Sequence, residues 1–121
     1  VLTNIALNMP GSILFSEAIA VNLLAGATGS ASGGMSIALE ALGPRFAEMA
    51  AGNPTTLESL HRIASISSGG LDTLPHNGAV LTLLAVSNCT HKESYLDICV
   101  TTCIIPLVAS LVLALIWGVF V

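Results

Sequence analysis

Charge is what this sequence most lacks. Three Lys+Arg and seven Asp+Glu make up 8% of 121 residues, against about 25% in an ordinary soluble domain. Ten charges cannot clothe a water-facing globule of this length, so the solvent for most of the chain is lipid or other apolar protein. The shortage of Lys and Arg excludes the basic footprint of a nucleic-acid binder and the polybasic anchor of a lipid-surface protein. Three cysteines, Cys89, Cys99 and Cys103, are too few and odd in number for a disulfide framework. Cys99 and Cys103 share one helix face, where buried packing is the ordinary role. Enzyme motifs are also missing. Gly29-Ser30-Ala31-Ser32-Gly33 has Ala31 where a nucleophile elbow needs serine. No phosphate loop and no dinucleotide fingerprint occurs. His61, His76 and His91 stand fifteen apart, which is not metal-ligand spacing. Neither catalysis nor a metal or other cofactor is therefore expected. The chain starts at Val1 without a signal-peptide pattern, and is expected to be a portion of a longer protein whose remaining helices are its partners, alongside membrane lipid.

Hydrophobic residues are abundant, at 54%, and they come in interrupted runs. The last is the longest: residues 98–121 hold 24 positions without Lys, Arg, Asp, Glu or His. As a helix that run spans about 36 Å, enough for a hydrocarbon core of roughly 30 Å. Thr90-His91-Lys92-Glu93 is a capping box ahead of it, Trp117 suits the far interface, and Pro106 predicts a kink, since the Thr102 carbonyl loses its partner. Upstream, Thr55-Thr56-Leu57-Glu58 reads as a second capping box starting a helix to about Ser67. Residues 67–78 then hold three glycines and one proline before an apolar run of eight, residues 79–86. The pattern predicts a broken helix over 55–89, with halves near 56–67 and 78–89. The first third repeats the form. An apolar stretch from Ile13, carrying Glu17 and Asn22, meets nine small residues at 26–34. The helical pattern then resumes from Met35 to Gly43-Pro44, and a surface connection follows over 45–54. Residues 11–50 thus form a re-entrant hairpin or a second broken span. The fold class implied is an all-α membrane protein, a polytopic bundle with such a hairpin, a discontinuous helix and a final transmembrane helix over 91–121.

Short apolar segments interrupted by glycine mark the binding sites of transporters. A break leaves the first amides of its second half unpaired and partially positive, which makes an anion site without a basic side chain. Candidate substrate-binding residues are Thr28, Gly29, Ser30, Ser32 and Gly33 in the first break, and Ser67, Ser68, Gly69, Asn77 and Gly78 in the second. The ligand implied is a small organic acid anion. Asp72, His76 and Glu17 are candidates for proton coupling, because ionisable groups at membrane depth are costly and tend to be functional. Plainer roles stand beside these. Gly29-x-x-x-Gly33 suits close helix packing, Asp72 suits a helix cap, His76 suits a loop and Glu17 suits an interface. On the packing reading the chain is a structural segment of a membrane protein whose substrate site lies elsewhere.

The wording of both breaks resembles the late region of the gluconate permease family. The resemblance rests on Gly26-Ala27-Thr28-Gly29-Ser30-Ala31-Ser32-Gly33-Gly34, on Leu74-Pro75-His76-Asn77-Gly78, and on His91-Lys92-Glu93-Ser94-Tyr95 some dozen residues later. It covers nearly the whole chain and is closest to the D-3-hydroxybutyrate permease branch. It implies the C-terminal part of a multi-pass secondary transporter of the bacterial inner membrane, one that carries protons with a small hydroxy-acid such as 3-hydroxybutyrate or gluconate and forms homo-oligomers.

Overall fold

The computed structural model describes residues 12–120; residues 1–11 and Val121, which include the expected outer limits of the first and last segments, lie outside it. Helices α1 (Ile13–Thr28), α2 (Ala31–Met49), α3 (Pro54–Ser67) and α4 (Gly78–Ser87) are followed by α5 (His91–Cys99), a π-helical turn (Val100–Ile104) and α6 (Ile105–Phe120). No strand occurs among the described residues.

Helix α1 is the centre, with α2, α3 and α6 packed around it. A helix apolar on every side belongs inside a bundle, and α1 buries Leu14, Ala18, Val21 and Ala25 together with Glu17 and Asn22. Opposite it, α2 buries Ala38, Leu42 and Phe46 at four-residue intervals, and α3 adds Leu60, Ile63 and Ala64. The α1–α2 pair is a helical hairpin, and its backbones approach closely at one glycine. A methyl group added to Gly34 would fall on the backbone of Ala25.

The first break is far shorter than the nine small residues suggested. Helix α1 continues through Gly26 to Thr28 and α2 starts at Ala31, so Gly33 and Gly34 are helical. Each helical glycine costs roughly 0.5–1 kcal/mol against alanine; the close contact with Ala25 accounts for Gly34. Nor does Gly43-Pro44 end the helix. Pro44 lies inside α2, on an exposed face, while Leu42 and Phe46 on either side are anchored in the core. The connection expected over 45–54 contracts to residues 50–53. The cap of α3 also differs from the expected Thr55 box: the Asn53 side chain accepts from Thr55 N, with Pro54 in the first turn. Glu58 pairs with Arg62 instead of reaching back.

The broken helix appears where the sequence put it, as α3, an unwound segment 68–77 and α4. The last rod runs for 30 residues, His91–Phe120, with most of its surface free of the bundle. Its start is capped as expected: Thr90 N and Thr90 Oγ1 donate to the Glu93 carboxylate at 2.9 and 2.7 Å. Pro106 leaves its mark one turn early. Its ring nitrogen offers no proton to the carbonyl of Thr102, and the chain widens into the π turn, where Ile105 N–H reaches back to Val100 O. Such turns often sit inside long helices at functional sites. Val108, Val112, Leu115, Ile116 and Val119 are exposed along the rod. So large an unshielded apolar surface marks a lipid or helix contact, and the chain is a helical membrane protein.

Candidate functional site

The hairpin turn and the unwound segment meet. Gly29, at φ 62, ends α1 in the left-handed region that glycine adopts without strain. Ser30 is extended and caps α2, its Oγ accepting from Gly33 N at 3.2 Å. Thr28 Oγ1 lies 2.8 Å from Leu24 O, so its proton is taken up within the turn.

Asn77 is the residue that joins the two breaks. Its Oδ1 caps α4 by accepting from Ala79 N at 2.6 Å and Val80 N at 3.2 Å. Its Nδ2 donates to Gly29 O and to Asp72 O, both at 2.8 Å, and lies 3.3 Å from Asp72 Oδ1. A single amide thus serves the amide end of one half-helix and the carbonyl end of another. Bare backbone at membrane depth must find such partners, and the neighbouring carbonyls find them too. His76 Nε2 donates to Gly26 O at 3.1 Å, His91 Nε2 to Pro75 O at 3.2 Å, and Tyr95 OH to Thr73 O at 3.3 Å. Thr73 Oγ1 in turn meets Thr102 Oγ1, within the π turn, at 2.5 Å. Because a carbonyl only accepts, both histidines carry their proton on Nε2.

Between the breaks lies an open cavity of about 440 Å³. Gly29, Ser30, Ala31 and Ser32 form one side; Asp72, Asn77, Gly78 and Ala79 form the other. The starts of α2 and α4 both line it. Side chains of Ser30 and Asn77 take three of the first amides, and among the described residues no acceptor reaches those of Ala31, Ser32 or Gly78. Two helix N-termini with free donors favour negative charge, and the Ser32 hydroxyl adds a further polar group. The one carboxylate on the rim, Asp72, opposes an anion when charged and can donate to it when protonated.

Of the expected substrate-binding residues, Gly29, Ser30, Ser32, Asn77 and Gly78 are gathered here. Thr28 and Gly33 shape the turn behind the cavity. Ser67, Ser68 and Gly69 are not brought to it. They stand at the C-terminal end of α3, where carbonyls face outward and an anion is disfavoured; Ser68 Oγ donates to Ser65 O at 2.8 Å. Asp72 lines the cavity. His76 stands behind Gly29 with Nε2 committed to the backbone, and Glu17 is deep in α1, at a different cavity. Sequence reading missed His91 and Tyr95. Their four-residue spacing on one helix face was the available signal, but nothing local shows that this face meets the unwound segment.

No protein-family model matches the chain, and no solved structure does. Over 91 residues, 75% of its length, the chain is 50% identical to the uncharacterised transporter YxjC of Bacillus subtilis (strain 168). The chain spans 19% of that relative's length.

Proposed function

We propose that this chain is the part of a secondary transporter that holds the substrate, a small hydroxy-carboxylate, and that it moves the substrate together with a proton. The observation that carries the reading is the convergence of two half-helix N-termini, with unpaired amides, on one cavity rimmed by a carboxyl group. The substrate carboxylate meets the amides of Ala31, Ser32 and Gly78, and its hydroxyl exchanges water for Ser32 or Ser30. Protonation of Asp72 removes the opposing charge and supplies a donor, so that proton and anion enter as a neutral pair. Likeness to a transporter over three quarters of the chain supports the class, and the wording shared with gluconate permeases supports acids of the 3-hydroxybutyrate or gluconate kind. The setting is the bacterial inner membrane, with further helices of the full transporter completing the pocket.

Uptake of labelled 3-hydroxybutyrate and gluconate into liposomes holding the full-length protein tests this. Ser32→Ala removes a neutral hydrogen bond to the substrate hydroxyl, about 0.5–1.5 kcal/mol, and is expected to raise the apparent transport constant about two- to tenfold. Asp72→Asn is expected to leave uptake that no longer responds to an imposed proton gradient. Unchanged kinetics for Ser32→Ala would remove the cavity from the pathway, and an unchanged gradient response would remove Asp72 from coupling.

A further inference from the structure

A second cavity, of about 260 Å³, opens between α2 and α3 with Glu17 of α1 at its inner wall. Its walls are otherwise mostly apolar, with Met35, Leu39 and Phe46 from α2 and Leu57 and Leu60 from α3; the other polar side chains lining it are the exposed His61 and Ser65 of α3. Glu17 is 2% exposed. Its Oε2 is fully buried and has no hydrogen-bond partner among the described residues. An ionised carboxylate in such a place must be paired, or else give up its charge. The charged groups on the packed helices do not provide the pair. On α2, Arg45 and Glu48 face each other at the surface and Glu40 is exposed. On α3, Arg62 is joined to Glu58. Helix α6 has no titratable side chain. Only His61 of α3, on the exposed side, shares the cavity with Glu17.

We propose that Glu17 is a second proton-holding carboxyl, apart from the anion cavity, and that its proton is exchanged with solvent through the α2–α3 cavity past His61. In the step, the His61 imidazole at the mouth, protonated from solvent, gives up a proton, and the Glu17 carboxylate takes it to become a neutral carboxyl; release runs the same path in reverse. The site binds a proton and has no place for a metal cation, because one carboxyl against apolar walls offers too few oxygen ligands. The inference extends the proton-coupled reading, yet Glu17 can hold its proton whether or not the chain carries a hydroxy-acid.

Infrared spectroscopy of the full-length protein in liposomes at neutral pH tests it without any transport assay. In an Asp72→Asn background a protonated-carboxyl stretch is expected. It should be lost in Glu17→Gln and shifted in Glu17→Asp, which keeps the acid. The stretch should move on transfer to heavy water, and His61→Phe, at an exposed position, should slow that exchange roughly tenfold. Absence of a Glu17-dependent stretch overturns the proposal, as does its disappearance on adding sodium, which would make Glu17 a cation ligand. An exchange rate unaltered by His61→Phe overturns the route. Uptake failing while the stretch persists would count against the anion cavity alone.

Discussion

At the scale of single residues, Asn77 holds the most together. It is 5% exposed, and its side chain engages the α4 amides, Gly29 O and Asp72 O at once. Asn77→Asp keeps the acceptor that caps α4 but loses the donors. It leaves two half-buried carbonyls, Gly29 O and Asp72 O, without this donor and sets a carboxylate beside Asp72. Each lost hydrogen bond at such half-buried carbonyls is worth about 0.5–1.5 kcal/mol, so the variant is expected to be less stable by roughly 1–3 kcal/mol, read as a lower thermal midpoint by circular dichroism in detergent. Asn77→Ala removes the cap as well, and should be at least as damaging. The asymmetry of the two variants separates roles: if Asp matched wild type, the Nδ2 bonds across the breaks would carry no weight and the cap alone would matter.

At the scale of elements, the hairpin depends on Gly34. With the Ala25 backbone where a Cβ would stand, Gly34→Ala must push α2 away from α1. Overpacking of this kind costs typically 1–3 kcal/mol, more than the helix propensity that alanine gains. Because Ser30 and Ser32 ride on α2, the displacement should widen the cavity between the two breaks. Gly33→Ala is the contrast, since its Cβ would meet only the Ser30 side chain, at 3.2 Å from Oγ. The expected outcome is lower stability and weaker uptake for Gly34→Ala, with Gly33→Ala milder in both; equal effects would deny the close approach. These same elements show what was legible in the sequence. The halves of the broken helix could be read because Asn77-Gly78 and the Ser-Gly-Gly run are local punctuation, acting through caps and dihedral freedom. The hairpin turn could not be sized, because whether Gly33 and Gly34 are loop or helix is decided by Ala25 on another helix. Pro44 was misread for a related reason: local propensity argued for a stop, and the burial of Leu42 and Phe46 overrode it. The meeting of the two breaks at Asn77, and the clamp of His91 and Tyr95 on the unwound segment, are tertiary and had no local signature.

At the scale of the whole molecule, the rod fixes how the bundle stands in a bilayer. Its last charge before the apolar stretch is Asp97, and Trp117 comes twenty residues later, about 30 Å along a helix, which is the thickness of a hydrocarbon core. Asp97 and Trp117 therefore occupy opposite interfaces when the rod crosses with little tilt. The unwound segment touches the rod close to its charged end, through His91, Tyr95 and Thr102. The cavity between the two breaks consequently lies nearer the Asp97 face than the Trp117 face, with a short path to water on that side. Trp117 is exposed on the rod, so in a full-length protein that retains it as the sole tryptophan its fluorescence reports depth directly. In liposomes, lipids brominated near the headgroup are expected to quench it more strongly than lipids brominated at the chain ends. Stronger quenching from the chain ends would place Trp117 at mid-bilayer. With the rod crossing at little tilt, Asp97 would then stand about 15 Å beyond the opposite interface, and the assignment of Asp97 and Trp117 to the two interfaces would fail.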